Sequence, residues 1–259
     1  MRDFFGELYE LGINPSIEQG TDAWLQMRLG VATGSEADAL LSDPAKDKYK
    51  TYLLQKAAEI CTADIGEQIF SKPIQWGNDH EPEARSIYEF EKLKHVQEVV
   101  FIYKDNNRRF GCSPDGLVLE AEHGVEFKCP YTTKVHLDFI LNGKIKPEYI
   151  KQCQYNMWIT GLKKWDFASY DPRMQTNKLH SVTLERDEKM MDKLDEAAER
   201  FSRDLDVMLA KLDTAFGAQW GELYVDDTVN ITFKPATKKV EKPKVIEIDN
   251  KPFSLDLPF

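Results

Sequence analysis

Apolar residues recur at helical spacing through "SEADALLS" and "KYKTYLLQKAAEICTA", and again where "WGNDHEPEARSIYEFEK" would turn Ala84, Ile87 and Phe90 inward. Ser35 opens the first of these helices as an N-cap, with Asp38 three residues on. The β-rich run "EVVFIYKD" follows, and then "FGCSPDGLVLEAEHGVEFKCPY", which reads as two strands turning at "EAEHG". A helix is predicted over "KPEYIKQCQYNMWITG", with Pro147 near its start and Gly161 stopping it. "KWDFASY" and "HSVTLERD" are two further strands across the loop "DPRMQTNKL". After Asp187 a long amphipathic helix sets Leu194, Phe201, Leu205, Met208 and Leu212 on one stripe. This order predicts an α/β fold, a mixed central β-sheet flanked by helices. From about Asp226 the periodicity gives way to "FKPATKKVEKPK", so residues 1–225 are expected to form one domain and 226–259 a flexible tail.

The composition narrows the function classes. A chain of 259 residues can bury the core of one large domain, and 42% hydrophobic with 30% charged residues is ordinary for a soluble protein. No apolar run approaches the roughly 18 residues of a membrane span, and "MRDFFGELYE" lacks a signal peptide's apolar stretch, so a cytoplasmic location without membrane contact is expected. Cys61, Cys112, Cys129 and Cys153 have neither disulfide-scaffold nor zinc spacing and read as buried thiols, and the five histidines form no ligand pattern. The net charge of −10 counts against a protein that simply coats DNA with a basic surface. Basic groups that met nucleic acid would have to be gathered in a groove.

The chemistry concentrates around the "EAEHG" turn. Two antiparallel strands joined there bring Asp115 opposite Glu126, and period two sets Glu126 and Lys128 on one face. Paired carboxylates repel unless a proton or cation lies between them, and all-oxygen ligation suits Mg²⁺ or Mn²⁺. The carbonyl of Phe127 offers another oxygen, and a neighbouring lysine can orient water or stabilise a pentavalent phosphate. The set reads as metal-dependent phosphodiester hydrolysis; its plain alternative is a turn aspartate, an edge glutamate and a surface lysine. Glu81 would add a third carboxylate, or simply pair with Arg85. Gln154, on the helix after Pro147, would position the attacking water or face solvent.

Taken in order, "IEQGTDAWLQMRLGVATGSE", "WGNDHEPEAR", "CSPDG", "EFKCP", "QCQYNMW", "SYDPRM", "ERDEK" and "FGAQW" carry a resemblance that covers nearly everything before the tail. The chain resembles the YqaJ-like viral recombinase nucleases, the family of bacteriophage lambda exonuclease, in the PD-(D/E)XK superfamily. The resemblance implies a restriction-endonuclease-like core and a toroidal homotrimer. It implies processive, Mg²⁺-dependent degradation of the 5′-ended strand of linear duplex DNA, with 5′-mononucleotides released. A 3′ single strand would remain for a phage annealing protein. Asp115, Glu126 and the Phe127 carbonyl then correspond to the metal ligands, Lys128 to the catalytic lysine, Glu81 to a helix acid, and Gln154 to the glutamine of the follow-on helix. Pro82, directly after Glu81, departs from an uninterrupted helix and sets Glu81 either at a helix start or at a kink. "MRLGVATGSE" corresponds to a 5′-phosphate pocket, with Arg28 and an N-capping Ser35 as ligands and Ser113 and Arg173 as further DNA contacts. A restriction-like endonuclease and a non-catalytic DNA-end-binding ring are the alternatives.

The final "DLPF" is similar to the acidic tip of bacterial single-stranded-DNA-binding proteins. Phe259 would be an anchor, Pro258 a stiffener and Asp256 a charge contact for host proteins that bind such tips.

Overall fold

The alternating pattern of "HGVEFK" is realised as the strand around which the molecule is arranged. The structure is a computed structural model that describes residues 17–66 and 71–221. In chain order its elements are α1 (Asp22–Arg28), β1 (Ala32–Thr33), a 3₁₀ turn (Gly34–Glu36), α2 (Ala37–Leu40), α3 (Asp47–Thr62) and α4 (Lys72–Lys92). They continue with β2 (Ile102–Tyr103), β3 (Phe110–Cys112), β4 (Gly116–Val118), β5 (His123–Lys128), α5 (Thr133–Asn142) and α6 (Pro147–Thr160). The last are β6 (Lys164–Tyr170), β7 (Leu179–Glu185) and α7 (Glu188–Ala210).

Two mixed sheets form, one ordered β1-β3-β2 and the other β4-β5-β6-β7. In the larger sheet β5 is antiparallel to β4 and parallel to β6, and the parallel pair is bridged by α5 and α6, as such a crossover requires. Helices cover both faces. Val125 and Phe127 of β5 pack with Ala84 and Tyr88 of α4, while Phe167 of β6 joins Phe139 of α5 and the α6 side chains. The α/β expectation, a mixed sheet flanked by helices, is met.

Pro147 does open α6, and Gly161 closes it at φ 74° with its N–H on the Met157 carbonyl. Asp187 caps α7, its carboxylate accepting from Lys189 N–H, and the predicted stripe buries Leu194, Phe201 and Leu205 against α3 and α6. Other expectations change. Ser35 does not cap a helix: it lies exposed inside the 3₁₀ turn, whose N-cap is Thr33, and the Glu36 carboxylate accepts from both Thr33 N–H (3.3 Å) and Thr33 Oγ1 (2.9 Å). In α4, Ala84 and Tyr88 are buried but Phe90 is 81% exposed, because six residues beyond Ala84 is roughly 120° around the helix. Only Ile102 and Tyr103 of "EVVFIYKD" pair as strand. Cys61 is exposed, whereas Cys112, Cys129 and Cys153 are buried. No helix among the described residues is long and apolar enough to cross a membrane. The tail from 226 onward, with Asp256, Pro258 and Phe259, lies outside the described residues.

Candidate active site

The register of β4 on β5 places Gly116 opposite Val125, so the preceding Asp115 meets the strand at Glu126 and Phe127. The Phe127 N–H donates to Asp115 Oδ2 at 2.7 Å, fixing the carboxylate at the strand's end. Glu126, only 1% exposed, points to the α6 side, where Gln152 Nε2 donates to its Oε1 at 2.7 Å and Asn156 Nδ2 to its Oε2 at 3.4 Å. The Lys128 ammonium binds the same carboxylate. From the opposite face α4 contributes Glu81. It is held by Arg85 (3.0 Å), which also reaches the Asp115 carbonyl (3.2 Å) and Glu98 (2.7 Å).

Glu81 therefore lies mid-helix, within α4, with Pro82 inside the helix as well. Proline supplies no N–H for the carbonyl four residues earlier, that of Asn78, which lines the cleft beside Glu81.

The electrostatics are those of too many acids in a dry place. Burial first, and then repulsion from Asp115, pushes Glu126 up to about 8 despite Lys128. The same two causes push Glu81 up to about 7 against the pull of Arg85 and Lys128. Burial also raises Asp115, opposed by Lys128, the Phe127 N–H and Arg85. Burial disfavours the Lys128 ammonium, but Glu126 and Asp115 outweigh it and its pKa lies above the ordinary lysine value. A cluster that holds protons this tightly favours a cation in their stead, and its hard oxygen donors suit Mg²⁺ or Mn²⁺. Among the described residues no three His, Cys, Asp or Glu side chains gather closely enough to enclose an ion. The fit is thus to an ion held by Asp115, Glu126 and main-chain oxygen, with water and substrate completing its shell, which is the habit of Mg²⁺.

Beside the cluster opens a cleft of about 570 Å³ between α4, the end of β5, α5 and the start of α6. Lys128, Lys144 and Lys146 line it together with Tyr131 and Tyr149, so three lysines gather in a groove next to the carboxylates.

The other expected residues separate into two groups. Arg28 stacks on Trp24 (4.1 Å to the ring centroid) and lies 3.5 Å from Thr33 Oγ1, and Ser35 Oγ is 3.4 Å from that hydroxyl. Trp24 in turn donates to Ser113 Oγ at 2.9 Å, two residues from Asp115. Gly34 lies so close to Asn156 Oδ1 that a Cβ there would collide with it, and Asn156 is the residue whose amide reaches Glu126. Arg28 and Ser35 thus lie on a segment whose Gly34 abuts the Glu126 partner Asn156, and Trp24 ties that segment to Ser113, two residues before Asp115.

Gln154 and Arg173 do not join them. Gln154 is buried on another side of α6, where its amide donates to the Glu185 carbonyl (2.8 Å) and accepts from Asp187 N–H (2.9 Å). Gln152, two residues earlier, is the glutamine of this helix that reaches the Glu126 carboxylate. The Arg173 guanidinium is occupied by Asp171 and by the Tyr131 and Pro130 carbonyls, which makes it a brace for the loop after β5. Sequence reading also missed Asn156 and Trp24. A signal was present for the first: Gln152 and Asn156, four residues apart, form a polar pair on one face of the helix.

Residues 23–163 match the YqaJ-like viral recombinase domain. The crystal structure of LHK-Exo, an alkaline exonuclease from Laribacter hongkongensis, is similar with 32% identity and a TM-score of 0.68, over 74% of this chain and 96% of that one. The same figures hold for LHK-Exo in complex with dAMP. A phage-related exonuclease from Haemophilus somnus 129PT shares the fold at 14% identity and a TM-score of 0.56, over 70% of this chain and 96% of that one. The uncharacterized protein ExoD of Escherichia coli (strain K12) is 46% identical over 86 residues, 32% of this chain and 99% of that protein. With the domain spanning more than half of its length, the chain belongs to the YqaJ-like viral recombinase family.

Proposed function

We propose that this protein is a Mg²⁺-dependent, processive 5′-to-3′ exonuclease acting on linear double-stranded DNA. It releases 5′-mononucleotides and leaves a 3′ single strand for annealing-type phage recombination. The observation that carries this reading is the convergence of Asp115, Glu126 and Lys128 at the end of β5, one side chain away from the Gly34 turn. The likeness to an alkaline exonuclease also seen with a bound deoxynucleoside monophosphate supports it.

In this reading Arg28 and Ser35 hold the terminal 5′-phosphate, and the next phosphate falls beside Glu126. An ion held by Asp115, Glu126 and the Phe127 carbonyl would neutralise charge on that phosphate and lower the pKa of a water. Lys128, kept cationic by its acidic neighbours, stabilises the charge that develops on the phosphoryl oxygens. Glu81, which Arg85 holds while also reaching the Asp115 carbonyl, would take up the proton of the attacking water. Gln152 and Asn156 hold the Glu126 carboxylate in orientation. The remaining strand leaves across the lysine-lined cleft, and assembly as a homotrimeric ring around the duplex would supply processivity.

A duplex with a single 5′-phosphorylated strand tests the polarity. That strand should shorten from its 5′ end, giving mononucleotides, while its complement persists. Loss from the 3′ end, or release of internal oligonucleotides, would overturn the reading.

A further inference from the structure

Behind the Arg28–Ser35 segment lies a set of charges that the chemistry above does not use. Lys56 of α3 is only 4% exposed and Glu59, one turn along, is also 4% exposed. The Lys56 ammonium lies 3.1 Å from Glu36 Oε1 and 3.1 Å from Glu59 Oε2. Each carboxylate in turn grips one end of the same segment. Glu59 Oε2 accepts from Gly30 N–H at 3.0 Å, and Glu36 accepts from Thr33 N–H and Oγ1 and from Tyr52 OH at 3.4 Å. Gln55 adds a donor to Glu59 at 3.0 Å.

Both acids also act on Arg28. Burial lowers the Arg28 pKa, and the fields of Glu36 and Glu59 pull it back. The group holds two cations, Arg28 and Lys56, against two anions, and is balanced only while Lys56 is present. Without Lys56 an uncompensated carboxylate would lie beside the segment. It would either repel an incoming phosphate or draw the Arg28 guanidinium off Trp24 into an internal ion pair.

We propose that Lys56 is a positioning residue for recognition of the DNA end: by holding Glu36 and Glu59 it keeps the Gly30–Ser35 backbone in place and leaves Arg28 free for a 5′-phosphate. This rests on the reading that Arg28 and Ser35 receive that phosphate. A residue that served stability alone would change the melting temperature without changing the choice between 5′-phosphorylated and 5′-hydroxyl ends.

The test compares steady-state hydrolysis of duplexes with the two kinds of end by wild type, Lys56→Met, Lys56→Met/Glu59→Gln and Arg28→Ala. Lys56→Met should raise KM for phosphorylated ends by about tenfold, the scale of one charge-assisted contact, with kcat nearly kept, and so erase most of the preference. The double variant restores charge balance, and the amide oxygen it places on α3 can still accept from Gly30 N–H, so it should recover the preference even if the single variant folds poorly. Retention of the full preference in Lys56→Met, or no recovery in the double variant, overturns the role of Lys56 while Arg28→Ala still loses the preference. If Arg28→Ala also keeps it, the 5′-phosphate pocket itself is misassigned.

Discussion

Gln152 donates its side-chain amide to the Glu126 carboxylate, whereas Gln154, two residues along the same helix, is turned to the backbone at Glu185 and Asp187. The two glutamines of "QCQ" therefore have separable tasks, one holding the Glu126 carboxylate and the other joining α6 to the β7–α7 junction. Gln152→Ala should weaken Mg²⁺ binding and slow hydrolysis with little effect on melting. Gln154→Ala should cost about 1–3 kcal/mol in stability, as buried main-chain groups lose their partners, and keep its activity at temperatures below its transition. Parallel thermal melts and rate measurements read both effects, and the reverse pattern would exchange the assignments.

The proton affinity of the cluster makes the ion-free protein sensitive to pH. Glu126, at about 8, and Glu81, at about 7, hold protons more tightly in the folded chain than in the unfolded one, where glutamate titrates near about 4.3. The stability this provides is complete below the unfolded value and is lost as pH rises through about 8. With EDTA present, the melting temperature should fall between about pH 5 and pH 9, and Glu126→Gln should flatten the fall. Mg²⁺ uptake in the same range should release protons, measurable by calorimetry in buffers of different ionisation enthalpy. A pH profile unchanged by Glu126→Gln would show that burial does not raise the proton affinity of this carboxylate.

Lys128 presents an ammonium to Glu126 and can be removed without removing a carboxylate oxygen from the cluster. Lys128→Ala should leave Mg²⁺ affinity equal or improved, because a competing cation is gone, and lower kcat by about a hundredfold or more. Loss of metal binding in this variant would make the lysine structural.

The legible part of this site was what strand geometry dictates. With period two and a short turn, the register that pairs Gly116 with Val125 sets Asp115 against Glu126 and leaves Lys128 on the Glu126 face, so these residues could be read from their spacing. Helical residues were harder, because the choice between Gln152 and Gln154 depends on which side of α6 meets the sheet. Phe90 failed in the same way, on the rotation of α4. Ser35 gave way to Thr33 because the chain enters α2 through a 3₁₀ turn. Contacts across long sequence separation, such as Trp24 with Ser113, leave no local trace at all. Nor does α5 announce itself, since Val135, Leu137 and Leu141 leave much of their surface exposed.

The most direct test of end-dependent, carboxylate-dependent hydrolysis is one digestion in Mg²⁺. A 5′-phosphorylated linear duplex and covalently closed circles are incubated together with the wild type and, separately, with Asp115→Asn. The wild type should degrade the linear DNA to mononucleotides and spare the circles, and the variant should leave both intact. Survival of the linear DNA with wild type, cutting of circles at a comparable rate, or near wild-type activity in Asp115→Asn would contradict the account.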